Sequence, residues 1–172
     1  MSKRVRQYIG ILAALAAYYL VHEGAHLLYA LLTGVFKQMK FLGLGVQIDV
    51  YAQRMTGPQM ALFCLAGAAA ALCAGYLLAA LAKKICRRES KLLRAVLYYI
   101  TIALLLLDPL YLSVLCGFVG GGDMNGIALL CPEWAARALF GAVLIGNGLL
   151  FWRRVLPAYR ESFSNDATIK NR

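Results

Sequence analysis

The sequence predicts an all-α integral membrane protein with about four transmembrane helices and a short β-hairpin between helices 1 and 2. The chain has 172 residues, 62% of them hydrophobic, and its mean hydropathy is +0.67. This composition excludes an ordinary soluble domain, because long apolar runs are typical of membrane helices. Four apolar segments reach the ~20 residues that a helix needs to cross a bilayer. They are residues 8–33, 57–82, 92–119 and 135–152.

The basic residues predict how these segments are oriented. Three of the 18 Lys and Arg residues precede the first segment, six lie between the second and third, and five follow the fourth. Only four lie on the other side, so the positive-inside rule places both termini in the cytoplasm, and the expected location is a bacterial cell membrane. The net charge of +10 does not indicate nucleic acid as a partner, since the charges cluster at the ends of apolar runs without an aromatic-basic patch.

Residues 1–156 are interpreted as a single transmembrane domain and residues 157–172 as a polar cytoplasmic tail, expected to be frayed. The second segment carries small residues at four-residue spacing, which allow another helix to approach closely. We expect that helix to be the first one. These small residues are Gly67, Ala71, Gly75 and Ala79. The five cysteines include no C-x-x-C pair and are interpreted as packing residues.

The region between the first two segments predicts a β-hairpin. Residues 46–51 alternate apolar and polar side chains, which is the period of a half-buried strand, and Gly43 and Gly45 favour a bend just before it. Two interpretations remain open at this point. The hairpin is either an ordinary connection or a free strand edge that pairs with an extended substrate.

The first apolar segment contains an H-E-x-x-H motif formed by His22, Glu23 and His26, and the chain has no other histidine. Residues four apart share a face of an α-helix, so both imidazoles can reach one metal ion. In this motif two histidines hold zinc and the glutamate is the general base. Three ionisable side chains inside an apolar run are unfavourable unless they have partners. We therefore interpret the motif as a zinc site, the alternative being a polar contact between helices.

A catalytic zinc usually has three protein ligands, so the third must be a carboxylate or a thiolate. Elimination among the eight acidic residues leaves Asp123 and Asp108. Residue counting places Asp108 at the depth of His22, whereas the glycines before Asp123 are typical of a site loop that leads into a short helix. Asp123 is the first choice and Asp108 the alternative third ligand.

Each aspartate also has an interpretation that involves no metal. Asp123 is then the N-cap of a helix, and Asp108 is a hydrogen-bonding partner of a tyrosine or of a ligand histidine. The Asp108-Pro109 pair is further expected to break the third apolar segment, because proline removes a helical hydrogen bond.

The motif and its surroundings resemble the site-2-protease family of intramembrane zinc metalloproteases (peptidase family M50, in particular its small M50B-like members). The H-E-x-x-H motif lies within a membrane helix and is followed by a glycine-containing hairpin. Leu65-Ala66-Gly67-Ala68 resembles the family's Leu-Ala-Gly-Pro stretch, and Gly122-Asp123-Met124-Asn125-Gly126 lies where such members carry a distal aspartate motif.

The resemblance implies an intramembrane endopeptidase with a Zn²⁺ cofactor and a membrane protein or peptide as substrate within the lipid bilayer. His22 and His26 would be metal ligands, with Asp123 or Asp108 as the third, and Glu23 would take the proton from the attacking water. Two other hypotheses remain. One is an inactive homologue that binds a client helix or regulates through a metal, and the other is a transporter that uses His22 and Glu23 to relay protons.

Overall fold

The computed structural model describes residues 1–42, 45–120 and 122–170. It is 81% helical, and within these ranges four helices are long and apolar enough to span a membrane. A two-stranded antiparallel hairpin lies between the first two, which confirms the predicted fold class. The helices are α1 (Lys3–Leu32), α2 (Gly57–Cys86), α3 (Lys91–Leu110), α4 (Cys116–Val119), α5 (Gly122–Ile127), α6 (Glu133–Leu150) and α7 (Leu156–Lys170).

The strands are β1 (Phe36–Leu42) and β2 (Gly45–Val50), paired so that Met39 lies opposite Ile48. Along β2, Ile48 is buried in the core beside α1, whereas the preceding Gln47 is exposed. The alternation seen in the sequence therefore corresponds to a strand with one face packed on the protein. Gly43, which was predicted to form the bend, lies outside the described residues.

The outer face of the hairpin carries a small charge cluster. Asp49 lies 3.0 Å from the Lys40 ammonium and 3.3 Å from that of Lys37. The hydrogen bond from Lys40, and then that from Lys37, lower the pKa of the Asp49 carboxyl below its usual value. These contacts are exposed to solvent, so they fix the orientation of the side chains more than they stabilise the fold.

Helix α2 begins with a capping box and packs along the row of small residues. The Thr56 hydroxyl accepts from the Gln59 backbone N–H, and the Gln59 side chain accepts from the Thr56 backbone N–H. A Cβ atom at Gly67 would meet the two histidine rings of α1, as expected from the row of small residues. At Gly75 it would instead meet Leu105 of α3. The row of small residues therefore serves two helix contacts, one with α1 and one with α3.

The prediction that Asp108-Pro109 breaks the third segment is wrong. Helix α3 continues through Pro109 to Leu110 and leads through a π-helical turn, Tyr111–Leu115, into α4. Proline lacks the N–H that would bond to the carbonyl four residues earlier, at Leu105. The Asn147 side-chain amide of α6 donates to that carbonyl at 2.7 Å. Because a neighbouring helix supplies the missing donor, the helix does not need to end.

Helix α6 runs through a second π-helical turn, Phe151–Val155, into α7. Contrary to the expectation of a frayed tail, α7 is helical to Lys170. Tyr159 is buried against the C-terminal part of α2 and the N-terminal half of α3. The buried Arg94 of α3 donates hydrogen bonds to the Ser162 hydroxyl and carbonyl and to the carbonyl of Cys86. These contacts fasten α7 to the bundle.

Candidate metal centre

Three side chains that can bind a metal converge between α1 and α5. Nε2 of His22 lies 3.2 Å from Nε2 of His26, and Oδ2 of Asp123 lies 3.2 Å from the first nitrogen and 3.6 Å from the second. Both histidines are buried, with 7% and 3% of their surface exposed, and the Asp123 side chain is 22% exposed. The described residues contain this one group of three that can hold a metal ion.

The helical periodicity of α1 explains the pairing of the two histidines. They lie four residues apart, so both side chains leave the same face of the helix. This face packs on α2 beside Gly67, where a Cβ atom would lie 2.5 Å from Nε2 of His26 and 2.7 Å from Nε2 of His22. Since real Cβ atoms do not approach other atoms so closely, glycine at position 67 keeps the space in front of both nitrogens open.

A backbone carbonyl of α2 orients the ring of His26. Nδ1 of His26 lies 2.8 Å from the carbonyl oxygen of Phe63, which can only accept a hydrogen bond. The proton of the neutral imidazole therefore resides on Nδ1, and Nε2 presents its lone pair to the other two groups. Ligand histidines in metalloproteins are held in this way.

A buried carboxylate of α3 lies behind His22. Oδ1 of Asp108 is 3.1 Å from Nδ1 of His22, although the ring is not aligned for a full hydrogen bond, and the same oxygen accepts from the Tyr18 hydroxyl at 2.6 Å. Asp108 is 1% exposed. Asp108, the alternative third ligand, thus lies at Nδ1 of His22, which faces away from the centre. Asp123 lies at Nε2, which faces the centre. Asp108 has the contacts of a residue that orients a ligand.

The glycine-rich segment after α4 brings Asp123 to the histidines. Gly120 and Gly122 have positive φ values of 101° and 22°, a region that side chains other than glycine rarely adopt. The Tyr111 hydroxyl donates to the Gly120 carbonyl at 2.7 Å and so fixes the turn. Helix α5 then packs closely on α2 at Gly126. A Cβ atom at this position would lie 2.8 Å from the Cβ of Cys64, so only glycine allows the contact.

Glu23 lies beside the centre and faces the hairpin. Its side chain is partly exposed, and the backbone of Ile48 in β2 lies near its carboxylate. The hairpin therefore lies next to the glutamate of the motif, as the sequence order alone could not show.

Several residues of the centre were not identified from the sequence. Tyr18 precedes His22 by four residues and shares its helix face, so the helical period could have pointed to it. The role of the Phe63 carbonyl has no sequence signal, since every residue has a carbonyl. Gly67 was expected only to allow the close approach of another helix.

The fold and the centre together define a helical membrane protein with a buried group that can bind a metal. Comparisons with known proteins give no match, whether with family models, with curated proteins or with solved structures.

Proposed function

We propose that this protein is an intramembrane zinc endopeptidase, with His22, His26 and Asp123 as the zinc ligands and Glu23 as the general base. The observation that carries the proposal is the triangle of 3.2, 3.2 and 3.6 Å between the two Nε2 atoms and the carboxylate oxygen. The resemblance of the H-E-x-x-H motif and its surroundings to the site-2-protease family supports the same function.

The triangle has the size that zinc requires. Zinc binds nitrogen and carboxylate oxygen at ~2.0–2.2 Å in tetrahedral geometry, which separates neighbouring ligand atoms by roughly 3.3 Å. The donor set of two imidazoles and one carboxylate is typical of catalytic zinc, where three protein ligands leave a fourth position open. The space that Gly67 leaves in front of both nitrogens supports the same interpretation. When bound, zinc would acidify a water and polarise the scissile carbonyl.

The residues around the triangle have separate roles in this proposal. Glu23 accepts the proton of the attacking water and passes it to the leaving amine, which is the work of a general base that later becomes a general acid. Asp108 and the Phe63 carbonyl hold the two rings with Nε2 towards the centre, so that no reorganisation is needed during reaction.

The hairpin supports the interpretation that a substrate binds in extended form. A helical substrate shields its own carbonyls, so it must unwind before water can attack. The Ile48 backbone lies near the Glu23 carboxylate, so a substrate strand paired with β2 would pass close to this glutamate. This observation favours the edge-pairing hypothesis over a hairpin that only connects two helices.

The test compares the wild-type protein with Glu23→Gln and with Glu89→Gln, a control in the exposed turn after α2. Each purified protein is incubated with casein and with a single-span membrane peptide, and products are identified by mass spectrometry. We expect Glu23→Gln to lower the cleavage rate by roughly 10²–10⁴-fold while keeping about one zinc per chain, because the general base does not bind the metal. The control variant should cleave like the wild type.

Two results would contradict the proposal. The first is cleavage by Glu23→Gln at the wild-type rate, which would assign the activity to another group or to a contaminant. The second is wild-type protein that binds zinc and cleaves neither substrate. That result would favour the inactive homologue that binds a client helix or acts as a regulator.

A further inference from the structure

A basic groove lies at the end of the bundle opposite the hairpin, where α1 and α3 both begin. It has a volume of about 890 Å³ and is formed by the first turns of α1, the N-terminal half of α3 and the start of α7. Lys3, Arg6, Lys91 and Arg160 bring four cationic side chains to it from these three helices. The described residues that line the groove include no aspartate or glutamate.

The positive charge of the groove attracts anions. Like charges that converge in a cleft with apolar walls repel one another and raise the local potential for anions. A second groove at the same end, between α2 and α7, also holds four cations, but Glu161 lies among them. Among the described lining residues, the first groove therefore carries the higher positive charge and attracts an anion more strongly.

The walls of the groove indicate what kind of anion fits. They carry tyrosines, Tyr98 and Tyr99, together with Phe163 and Leu156. Tyrosine is enriched where the headgroups of a bilayer meet its hydrocarbon, because one end of the side chain is apolar and the other polar. A soluble phosphate would leave these apolar walls uncovered, whereas glycerol and the first acyl carbons of a lipid would contact them.

The outer surface of α1 continues the groove towards the hydrocarbon. Gln7 lines the groove, and the apolar side chains of Tyr8, Ile11 and Leu12 follow it on the same helix with 67%, 45% and 67% of their surface exposed. Since these side chains belong to a membrane-spanning helix, they contact lipid. Acyl chains can therefore extend from a headgroup in the groove along α1 without leaving the bilayer.

We propose that this groove binds an anionic phospholipid, with the phosphate between Lys3, Arg6 and Arg160 and the acyl chains along α1. Basic pockets between membrane helices recognise anionic headgroups in this way. The site is separate from the His-His-Asp group and does not depend on the proposed protease activity.

The test measures which lipid the purified protein retains. Wild-type protein is released from nanodiscs of equal phosphatidylglycerol and phosphatidylcholine content and examined by native mass spectrometry. We expect a bound phosphatidylglycerol, and a loss of roughly tenfold or more in its retention for Arg6→Gln/Arg160→Gln. The matched control is Lys83→Gln/Arg87→Gln, which removes the same charge from the second groove and should change retention by less than about twofold.

Circular dichroism of both double variants shows whether the helices are intact. Equal retention of the two lipids by the wild type would overturn the proposal, as would equal losses in the two double variants. Displacement of the lipid by excess inorganic phosphate would also overturn it, because the groove would then be a site for soluble anions.

Discussion

In the candidate centre, Nδ1 of each histidine faces an oxygen atom from another helix. The Phe63 carbonyl of α2 binds His26, and the Asp108 carboxylate of α3 lies at His22. Tyr18 in turn donates to Asp108, so that three side chains form a chain from α1 to α3 and back. Such outer contacts fix the ring orientation and raise the basicity of a ligand.

The first prediction separates an orienting residue from a ligand. Asp108→Asn should weaken zinc binding by roughly 10- to 100-fold, because an amide orients His22 but lacks the charge. Zinc should still bind at saturating concentration, since Asp123 and both Nε2 atoms are unchanged. Competition with a chromophoric chelator measures the affinity. Tyr18→Phe, which removes only the hydroxyl, should have a smaller effect of the same sign.

An unchanged affinity in Asp108→Asn would contradict the orienting role. Complete loss of zinc at saturation would do so as well, because it would make Asp108 itself a ligand. The two outcomes are distinguishable from the expected one in a single titration.

The second prediction concerns the glycine of α2 against which the histidines pack. Gly67→Ala should abolish metal binding, because its Cβ would lie 2.5 Å and 2.7 Å from the two Nε2 atoms. Gly24→Ala is the matched control, since a Cβ there meets no atom within 4 Å although the residue lies inside the motif. Zinc content of the purified variants, with circular dichroism to confirm helicity, is the measurement. Normal zinc content in Gly67→Ala would show that the metal does not bind between these rings.

At the scale of elements, α3 shows how a proline is accommodated in a membrane helix. The carbonyl of Leu105 accepts from the Asn147 amide, and the Asn147 amide oxygen accepts from the Tyr76 hydroxyl at 2.7 Å. Three helices thus meet around one missing backbone hydrogen bond. Continuation of α3 through Pro109 keeps Asp108 on the helix face that packs on α1.

The third prediction is a double-mutant cycle on this contact. Asn147→Ala should lower the free energy of unfolding by about 1–3 kcal/mol, because it leaves the buried Leu105 carbonyl without a donor. In a Pro109→Ala background the restored backbone N–H satisfies that carbonyl, so the same exchange should have a much smaller effect. Unfolding in mixed micelles, followed by circular dichroism, measures the free energy of unfolding in both backgrounds. Equal losses in the two backgrounds would show that Asn147 acts only by packing.

The sequence predicted the elements well where one periodicity dominates. Four apolar runs of sufficient length and one alternating run gave the four long helices and the hairpin. The prediction failed at Pro109, where the local sequence favours a break. The compensating donor comes from Asn147, 42 residues after the Leu105 carbonyl that it satisfies. A polar residue in an apolar segment was the available signal, but its partner depends on tertiary packing.

At the scale of the whole molecule, the centre is assembled from three regions that are distant in sequence. His22 and His26 could be identified as a pair because four-residue spacing is a local property. Asp108 and Asp123 could not be ranked securely, since both reach His22 and only the packing of α3 and α5 determines which nitrogen each approaches. The resemblance to the site-2-protease family indicated the region of Asp123 but did not resolve the roles of the two aspartates.

The fourth prediction concerns the orientation of the bundle in the membrane. The distribution of basic residues predicts that both chain ends and the turn at Glu89 lie in the cytoplasm, and that the turn before Glu133 lies outside. Green fluorescent protein fused after Glu89 or after the last residue should fluoresce. Alkaline phosphatase should be active when it is fused before Glu133. The opposite pattern of activities would reverse the orientation.

The central claim is that two imidazoles and the Asp123 carboxylate hold one zinc ion. X-ray absorption at the zinc edge of the purified protein, combined with its metal content, tests this most directly. We predict about one zinc per chain, bound by two imidazole nitrogens and by oxygen ligands at ~2.0–2.2 Å. Asp123→Ala should lose that zinc. Protein that is free of metal, or zinc that stays bound with an unchanged spectrum in Asp123→Ala, would contradict the claim.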